Sequence, residues 1–432
     1  MNRKLLLVGL NELNFDLLKK YTDKYQGKFK YIEKLLKLKQ FNFETENEYK
    51  NLEPWIQWYS IHTGKTFKDH KVFRLGDAVE KDDKQIYELL EQRGKNVGAV
   101  SPMNALNKLK NPSYFIPDPW TETKTDGSLF SKKYHEAISQ TVNDNSKGKI
   151  SLSSFITILI AFIFFSNKKR FFHYVNLAIG SIKARWKKAL FLDLLTNDIH
   201  TKLIRKRKPD FSEVFLNSGA HIQHHYFRNS EFYKFKEVQN PDWYISNKAD
   251  PFLDLLQSFN LIVKDYFSTA DYEVIFSTGL SQSPIEPTFY YRLSNHEEFL
   301  KILNISFHKV VPRMTRDFTI YFSTEDQKRI CIDRLTSLSD SNGKKVFDEI
   351  EERKDSIFIT LTYSDEITES EVFTLDNAKI KLFEYVVFVA LKNGKHDPKS
   401  YTFCTEKVAT EFKHTKTNHI SAIHSAIDGY LN

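Results

Sequence analysis

The sequence predicts an α/β protein of three layers, a mostly parallel central sheet with helices on both faces, and a helical insertion. Three observations lead there. Short apolar runs alternate with helical runs over residues 1–125 and again over 211–276. Polar residues crowd the loops that follow directly after those apolar runs. A chain of 432 residues is also long enough to bury one large α/β core with insertions.

Residues 1–125 read as the first part of that core. Lys4–Val8 is a buried parallel strand, followed by a helix over Asn14–Tyr25, a helix over Lys84–Arg93 and a strand over Asn96–Val100. The apolar run at the N-terminus is too short for a signal peptide, because Asn11, Glu12 and Asn14 interrupt it at once. Residues 126–208 read as the helical insertion, polar at first and then apolar and basic. Residues 209–432 are the second part of the core. They hold strands at Phe211–Leu216 and Tyr272–Phe276 with the helix Pro251–Tyr266 between them, then β-rich runs at Phe318–Phe322, Ile357–Thr362 and Tyr385–Leu391.

A formal net charge of +8 favours anionic partners: phosphorylated or sugar-containing small molecules, acidic glycans or an anionic membrane. The basic residues are scattered and accompany no nucleic-acid motif, so nucleic acid is not expected as a partner. The aromatic content of 14% supplies stacking surface for a sugar, or simply an aromatic core. Cys331 and Cys404 make no disulfide framework, which predicts a reducing, cytoplasmic setting. The uncharged segment Ser151–Ser166 is shorter than the roughly 18 residues a membrane span needs. Lys147 and Lys149 precede it and Lys168, Lys169 and Arg170 follow. Two readings stand for 151–170: a buried helix, or an interfacial helix holding the protein peripherally on the inner face of a membrane.

In sheets of this kind the ligand site lies beyond the carboxyl ends of the strands. The loops there carry Asn11 and Glu12 after the first strand, Asn217, His221, Gln223, His224 and His225 after the strand at 211–216, and Thr278 and Gln282 after the strand at 272–276. Three histidines in five residues point to a site, since titratable groups cluster where chemistry is done. Glu12 and Glu53 are a candidate carboxylate pair for acid, base or nucleophilic work; the competing reading of each is a helix-start role. Gln57 is a further polar candidate, and Trp55 and Trp58 offer either sugar stacking or core packing. Arg313 and Arg316, three apart, form either an anion clamp or a solvated face.

The segment Thr63-Gly64-Lys65-Thr66-Phe67-Lys68-Asp69-His70-Lys71 resembles the stretch after the nucleophile in type I phosphodiesterases, members of the alkaline phosphatase superfamily that also holds the sulfatases. The order of the remaining pieces is similar too. The resemblance implies a two-metal site, yet the matching positions are altered. The first metal-binding Asp falls on Asn11, the nucleophile at or beside Pro54, the mid-chain Asp on Ala220 and the Asp-His pair on Thr278 and Gly279. Its remaining metal histidines fall on His224 and His419. Asn, Ala, Thr and Gly bring no charge to hold a second dication, and proline has no hydroxyl. The expectation is therefore a divergent hydrolase or transferase with at most one divalent metal, zinc or manganese, or none, acting on a glycan or phosphate-linked sugar in bacterial surface polysaccharide assembly. Alternatives are a non-catalytic protein that binds an anionic ligand and a one-metal phosphodiesterase. Catalytic work is expected of Glu12, Glu53, His221 and His224, metal binding of His224 and His419. Substrate binding is expected of Asn11, Gln57, Asn217, Gln223, His225, Thr278, Gln282, Arg313 and Arg316.

Overall fold

The strand Leu5–Leu10 is buried along its whole length because both of its edges and both of its faces are covered. Phe211–Leu216 pairs with it in parallel on one side and Glu273–Ser277 on the other. Successive side chains alternate between faces. Leu6, Val8 and Leu10 therefore enter one apolar core, and Leu5 and Leu7 enter the other. The computed structural model, which describes residues 3–143, 151–233, 239–313, 316–376 and 378–432, continues this sheet to seven strands. Their order is Lys39–Phe41, Thr402–Cys404, Glu273–Ser277, Leu5–Leu10, Phe211–Leu216, Val97–Val100 and Tyr114–Ile116. Thr402–Cys404 runs antiparallel to both of its neighbours, and the other pairings are parallel. The fold class is thus the predicted one.

Residues 3–284 and 394–432 belong to one unit with this sheet, and 285–393 form a second. Residues 209–432, expected as the second part of the core, thus span both units, and the strands show why. Asp317–Tyr321 and Ser356–Thr360, which match two of the predicted runs, sit in the middle of a four-stranded antiparallel sheet of the second unit. The polar strand Glu349–Glu352 covers one edge and Lys309–Pro312 the other. A sequence of Glu-Ile-Glu-Glu gives no apolar signal, so the antiparallel character stayed hidden. Two long strands, Ser281–Leu293 and Val386–Asp397, pair as a ribbon along which the chain leaves the first unit and returns to it.

The predicted insertion is helical and belongs to the first unit. Leu129–Asn143, Leu152–Phe165, Phe171–Gly180 and Trp186–Arg207 are its α-helices; Lys147 and Lys149 lie outside the described residues. Between Leu152–Phe165 and Lys168–Gly180 the axis turns by 110°. Buried charges fix that bend. Asp198 accepts from the Asn167 amide at 2.7 Å, from Arg170 Nη1 at 2.8 Å and from the Tyr174 hydroxyl at 2.7 Å. Arg170 also pairs with Asp265, whose other oxygen accepts from Asn197 Nδ2 at 2.7 Å. Removing one partner from such a buried network leaves an uncompensated charge and costs about 3–5 kcal/mol. No single described helix is long and apolar enough to cross a membrane.

Two core histidines set an acid limit. His200 bridges the Tyr266 hydroxyl and Ser212 Oγ at 3.0 and 2.8 Å, and burial lowers its pKa to about 3. His70 accepts from the Val72 amide on Nδ1 at 3.0 Å and meets Ser60 Oγ through Nε2 at 3.1 Å; burial brings it to about 4, against the opposing charges of Glu46 and Asp83. Both are neutral in the fold and protonate more readily when unfolded, near pH 6.5. Their stabilisation is complete above that pH and is lost as pH falls towards their folded values, at about 1.4 kcal/mol per unit each. Urea unfolding followed from pH 7 to pH 5 should therefore show a falling midpoint, with about 2 kcal/mol lost per histidine at pH 5. The variant His200→Asn should flatten that slope; an unchanged slope would rule out a neutral buried His200.

Candidate metal centre

The carboxyl ends of the three central strands meet where expected. Asn11 N–H donates to the Leu216 carbonyl at 3.0 Å and Glu12 N–H to the Thr278 carbonyl at 2.9 Å, which ties the three strand ends together. Glu12 adopts φ 58°, a left-handed conformation that L-residues enter rarely and that the surrounding bonds enforce. The helix-start role does not apply to it. Asn14 caps the helix Phe15–Lys24 by accepting from the Leu17 amide, and the Glu12 side chain turns inward, 3% exposed.

Four side chains converge on that carboxylate. Asn11 Nδ2 donates to Oε1 at 3.0 Å, and Gln282 Nε2 donates to Oε2 at 2.6 Å. His224 Nε2 and His396 Nε2 each lie 3.2 Å from the same Oε2. The outer nitrogens decide the chemistry. His224 Nδ1 is 3.2 Å from the Gly394 carbonyl, which only accepts, so Nδ1 carries the proton and Nε2 presents a lone pair in the neutral ring. His396 Nδ1 faces Glu53 Oε2 at 3.4 Å. Two imidazole nitrogens thus aim at one buried carboxylate oxygen, an arrangement that calls for a cation or for protons on the rings. Burial opposes the ionisation of Glu12, but the charges and hydrogen bonds of His396 and His224 outweigh it and hold its carboxyl far below the usual range.

Glu12, His224 and His396 each offer a ligand atom, and all three atoms lie within 4.8 Å of one another. Two imidazoles and a carboxylate form a donor set suited to zinc or manganese. The support around them also fits: ligating histidines characteristically donate their second N–H to a carbonyl or a carboxylate, here Gly394 and Glu53. The sequence reading missed His396, which sits near the end of the long strand Val386–Asp397 beside Gly394. The expected ligand His419 is engaged elsewhere. It forms an isolated bridge with Glu44, and its Nε2 lies 3.4 Å from Glu46.

The other candidates divide into those that hold the site and those apart from it. Gln223 donates to the Glu12 carbonyl at 2.6 Å and accepts from the Asn14 amide at 2.8 Å. Asn11 donates to Asn217 Oδ1 at 2.8 Å and accepts from Trp58 Nε1 at 3.0 Å. Thr278 accepts from the Tyr401 amide. Asn11, Gln223, Thr278 and Gln282 are buried and engaged, so they position other groups instead of facing a substrate. Gln57 is buried against Asn51 and Glu46, and Glu53 makes no side-chain cap bond at the helix Pro54–Thr63; its carboxylate faces His396. His221 and His225 are half-buried on the same helix as His224, with ring centres 4.9 Å apart. Burial, helped by His224, lowers His221 to about 4.

Arg313 and Arg316 belong to the second unit and lie between Lys309–Pro312 and Asp317–Tyr321, where Arg316 stacks over Tyr290 at 4.1 Å. Met314 and Thr315 between them lie outside the described residues. Trp58 is wholly buried, so it packs and does not stack on a sugar. A Cβ at Gly9 would come within 2.8 Å of its ring and one at Gly279 within 2.7 Å of its Nε1. The indole thus fills the space between Asn11 and Gly279.

One support escaped sequence reading altogether. Asp193 accepts from the Asn217 amide at 3.2 Å and the Ser218 amide at 2.7 Å, securing the start of the helix that carries the three histidines. Burial raises its carboxyl to about 6, against those hydrogen bonds.

No family model and no curated protein matches the chain. Among solved structures, similar ones include phosphonoacetate hydrolase from Sinorhizobium meliloti in complex with phosphonoformate, at 9% identity and a TM-score of 0.42, covering 99% of this chain and 96% of that one. Murine ectonucleotide pyrophosphatase/phosphodiesterase 5 in complex with AMP is similar at 10% identity and a TM-score of 0.41, covering 100% and 95%. Alkaline phosphatase from the Antarctic bacterium TAB5 follows at 8% identity and a TM-score of 0.42, covering 100% and 98%. All three are members of the alkaline phosphatase superfamily. At such identities the likeness is one of layout, and the chemistry rests on the residues described above.

Titration with Zn²⁺ or Mn²⁺ by calorimetry should find one equivalent bound, lost in His396→Ala and retained in His419→Ala. Gly394→Ala would drive a Cβ into the Gln223 carbonyl and Gln282 Oε1, and should weaken binding by about 10–100-fold through the support of His224. Binding lost in His419→Ala but kept in His396→Ala would overturn this centre and move the metal to His419.

Proposed function

We propose that the chain is a one-metal hydrolase or transferase that acts on a phosphate-linked sugar or a similar anionic glycan precursor, in assembly of a bacterial surface polysaccharide. The observation that carries this reading is the convergence of Glu12, His224 and His396 within 4.8 Å. A divalent ion held there supplies Lewis-acid polarisation of a phosphoryl oxygen.

The chain's own residues do the rest. Glu12 sets the charge of the centre, and Gln282 and Asn11 hold its two oxygens in place. Glu53 lies across His396 from Glu12 and is half-buried, so it is the carboxylate placed to take a proton from an attacking hydroxyl and return it to the leaving group. Pro54 stands beside it without a hydroxyl. The other hydroxyls of that helix, on Tyr59, Ser60 and Thr63, are engaged by Asp83, His70 and the Tyr59 carbonyl, so a water or a sugar hydroxyl is the nucleophile of this reading. His221, neutral at pH 7 because burial lowers it to about 4, is a hydrogen-bonding group for the substrate. The net charge of +8 favours anionic substrates in encounter.

A second reading rests on His396 lying between two carboxylates, at 3.2 Å from Glu12 and 3.4 Å from Glu53. Protonated, it would couple them as an acid–base pair without a metal. Turnover of metal-loaded protein on a panel of sugar phosphates, nucleotide sugars and aryl phosphodiesters separates these readings. The expected result is activity lost on chelation, with Glu53→Gln lowering kcat by about 10²–10⁴-fold while one metal remains bound. Activity indifferent to chelation would favour the metal-free pair. Ligand binding without turnover of any compound would make the chain a binding protein.

A further inference from the structure

The bent helix pair Leu152–Phe165 and Lys168–Gly180 packs one apolar side inward and leaves another in the open. Ala161, Tyr174 and Leu177 are buried in the core of the first unit. Phe155, Ile163, Phe164, Phe171, Phe172 and Ile179 are exposed, Phe172 to 86%. Large apolar side chains gathered on two consecutive helices mark an interaction surface.

Charge identifies what the surface meets. From Asn145 to Leu192 the chain has no Asp or Glu and carries nine lysines and arginines. Of these, Lys168, Lys169, Lys183, Arg185 and Lys188 are exposed, whereas Arg170 is taken up inside by Asp198 and Asp265. At the bend itself lies a cleft of about 530 Å³ whose lining includes Phe165, Lys168, Lys169, Lys202, Arg205 and Asp198. Four cations face the single carboxylate of Asp198, which also pairs with Arg170, so the cleft is cationic on balance. Lys202 donates to the Phe164 carbonyl and lies over the Phe165 ring at 5.4 Å, which fixes an ammonium next to the exposed aromatic residues.

We propose that this face docks on an anionic phospholipid surface, with a headgroup phosphate in the cleft of Lys168, Lys169, Lys202 and Arg205, and Phe155, Phe164 and Phe172 in the acyl boundary. Apolar side chains rimmed by cations are what an interfacial site requires. A second copy is the poorer occupant, because a two-fold contact through this face would set two acid-free, basic stretches against each other. This docking is independent of the metal centre.

The test is cosedimentation of the full chain with vesicles of phosphatidylcholine alone and of equal parts phosphatidylcholine and phosphatidylglycerol. Binding is expected to the mixed vesicles only and to weaken as salt rises. Phe164→Ser with Phe172→Ser should abolish it. Lys168→Ala with Lys169→Ala should reduce it by roughly fivefold per lysine. Both double variants alter exposed side chains and should keep the wild-type melting curve and the one-metal stoichiometry. The proposal is overturned if neither vesicle binds at low salt, if both bind equally, or if glycerol phosphate in solution displaces the protein and so marks a soluble-phosphate site. It is overturned equally if light scattering finds a dimer that the Phe variants dissolve.

Discussion

A carboxylate placed out of reach of water must be met by positive charge or by donors, and Glu12 has the donors of Asn11 and Gln282 on its two oxygens and two imidazole nitrogens turned towards it. That constraint organises everything near the centre of the sheet. Its backbone takes an uncommon φ and is tied to the neighbouring strand end through Thr278. Gln282 and His396 are brought in by the two strands of one ribbon, Asn11 by the first strand, and His224 by the helix after Phe211–Leu216. The chain supplies partners for one buried anion from points more than 380 residues apart, Glu12 and His396. Such a cluster contributes little to folding by itself, because desolvation offsets much of the attraction. Its presence is better explained by what it binds.

The two buried acids of the neighbouring strands show the contrast. Glu213, on the adjacent strand, accepts from the Tyr87 hydroxyl at 2.7 Å and meets His62 Nε2 at 3.0 Å, and all three are enclosed by the core. Nothing there is left half-open. At Glu12 the two histidines retain 19% and 14% of side-chain exposure, so the cluster is reachable from solvent. Similar chemistry is sealed in one place and accessible in the other.

Much of the fold was legible. Strand Phe211–Leu216 was read to the residue, and the rule that sites lie beyond the carboxyl ends of parallel strands led to Glu12, His224 and Gln282. The rest was hidden for identifiable reasons. Lys39–Phe41, Tyr114–Ile116 and Thr402–Cys404 are three residues each, too short to show a period. His396 follows a long run of β-rich sequence and is a lone histidine, so no local pattern marks it; only the pairing of its strand with Ser281–Leu293 carries it to the centre. His419 was the expected ligand because the resemblance places a metal histidine there, a match in order along the chain that carries no information on what the strand pairing brings together. Asp193 was missed because a single acid inside a long helix looks solvated until the helix is seen to be covered.

The position of Trp58 has a consequence for anyone who would rebuild this site. Its indole lies against Gly9 and Gly279 and is held by Asn11. An acidic or imidazole ligand introduced at Asn11 or Gly279 would find the volume between them filled, and φ 72° at Gly279 disfavours any side chain. Shortening the ring would open that volume and leave a cavity in the core. Room for a further ligand beside Glu12 and the packing of the central sheet are therefore drawn from the same space, and one is gained only at the expense of the other.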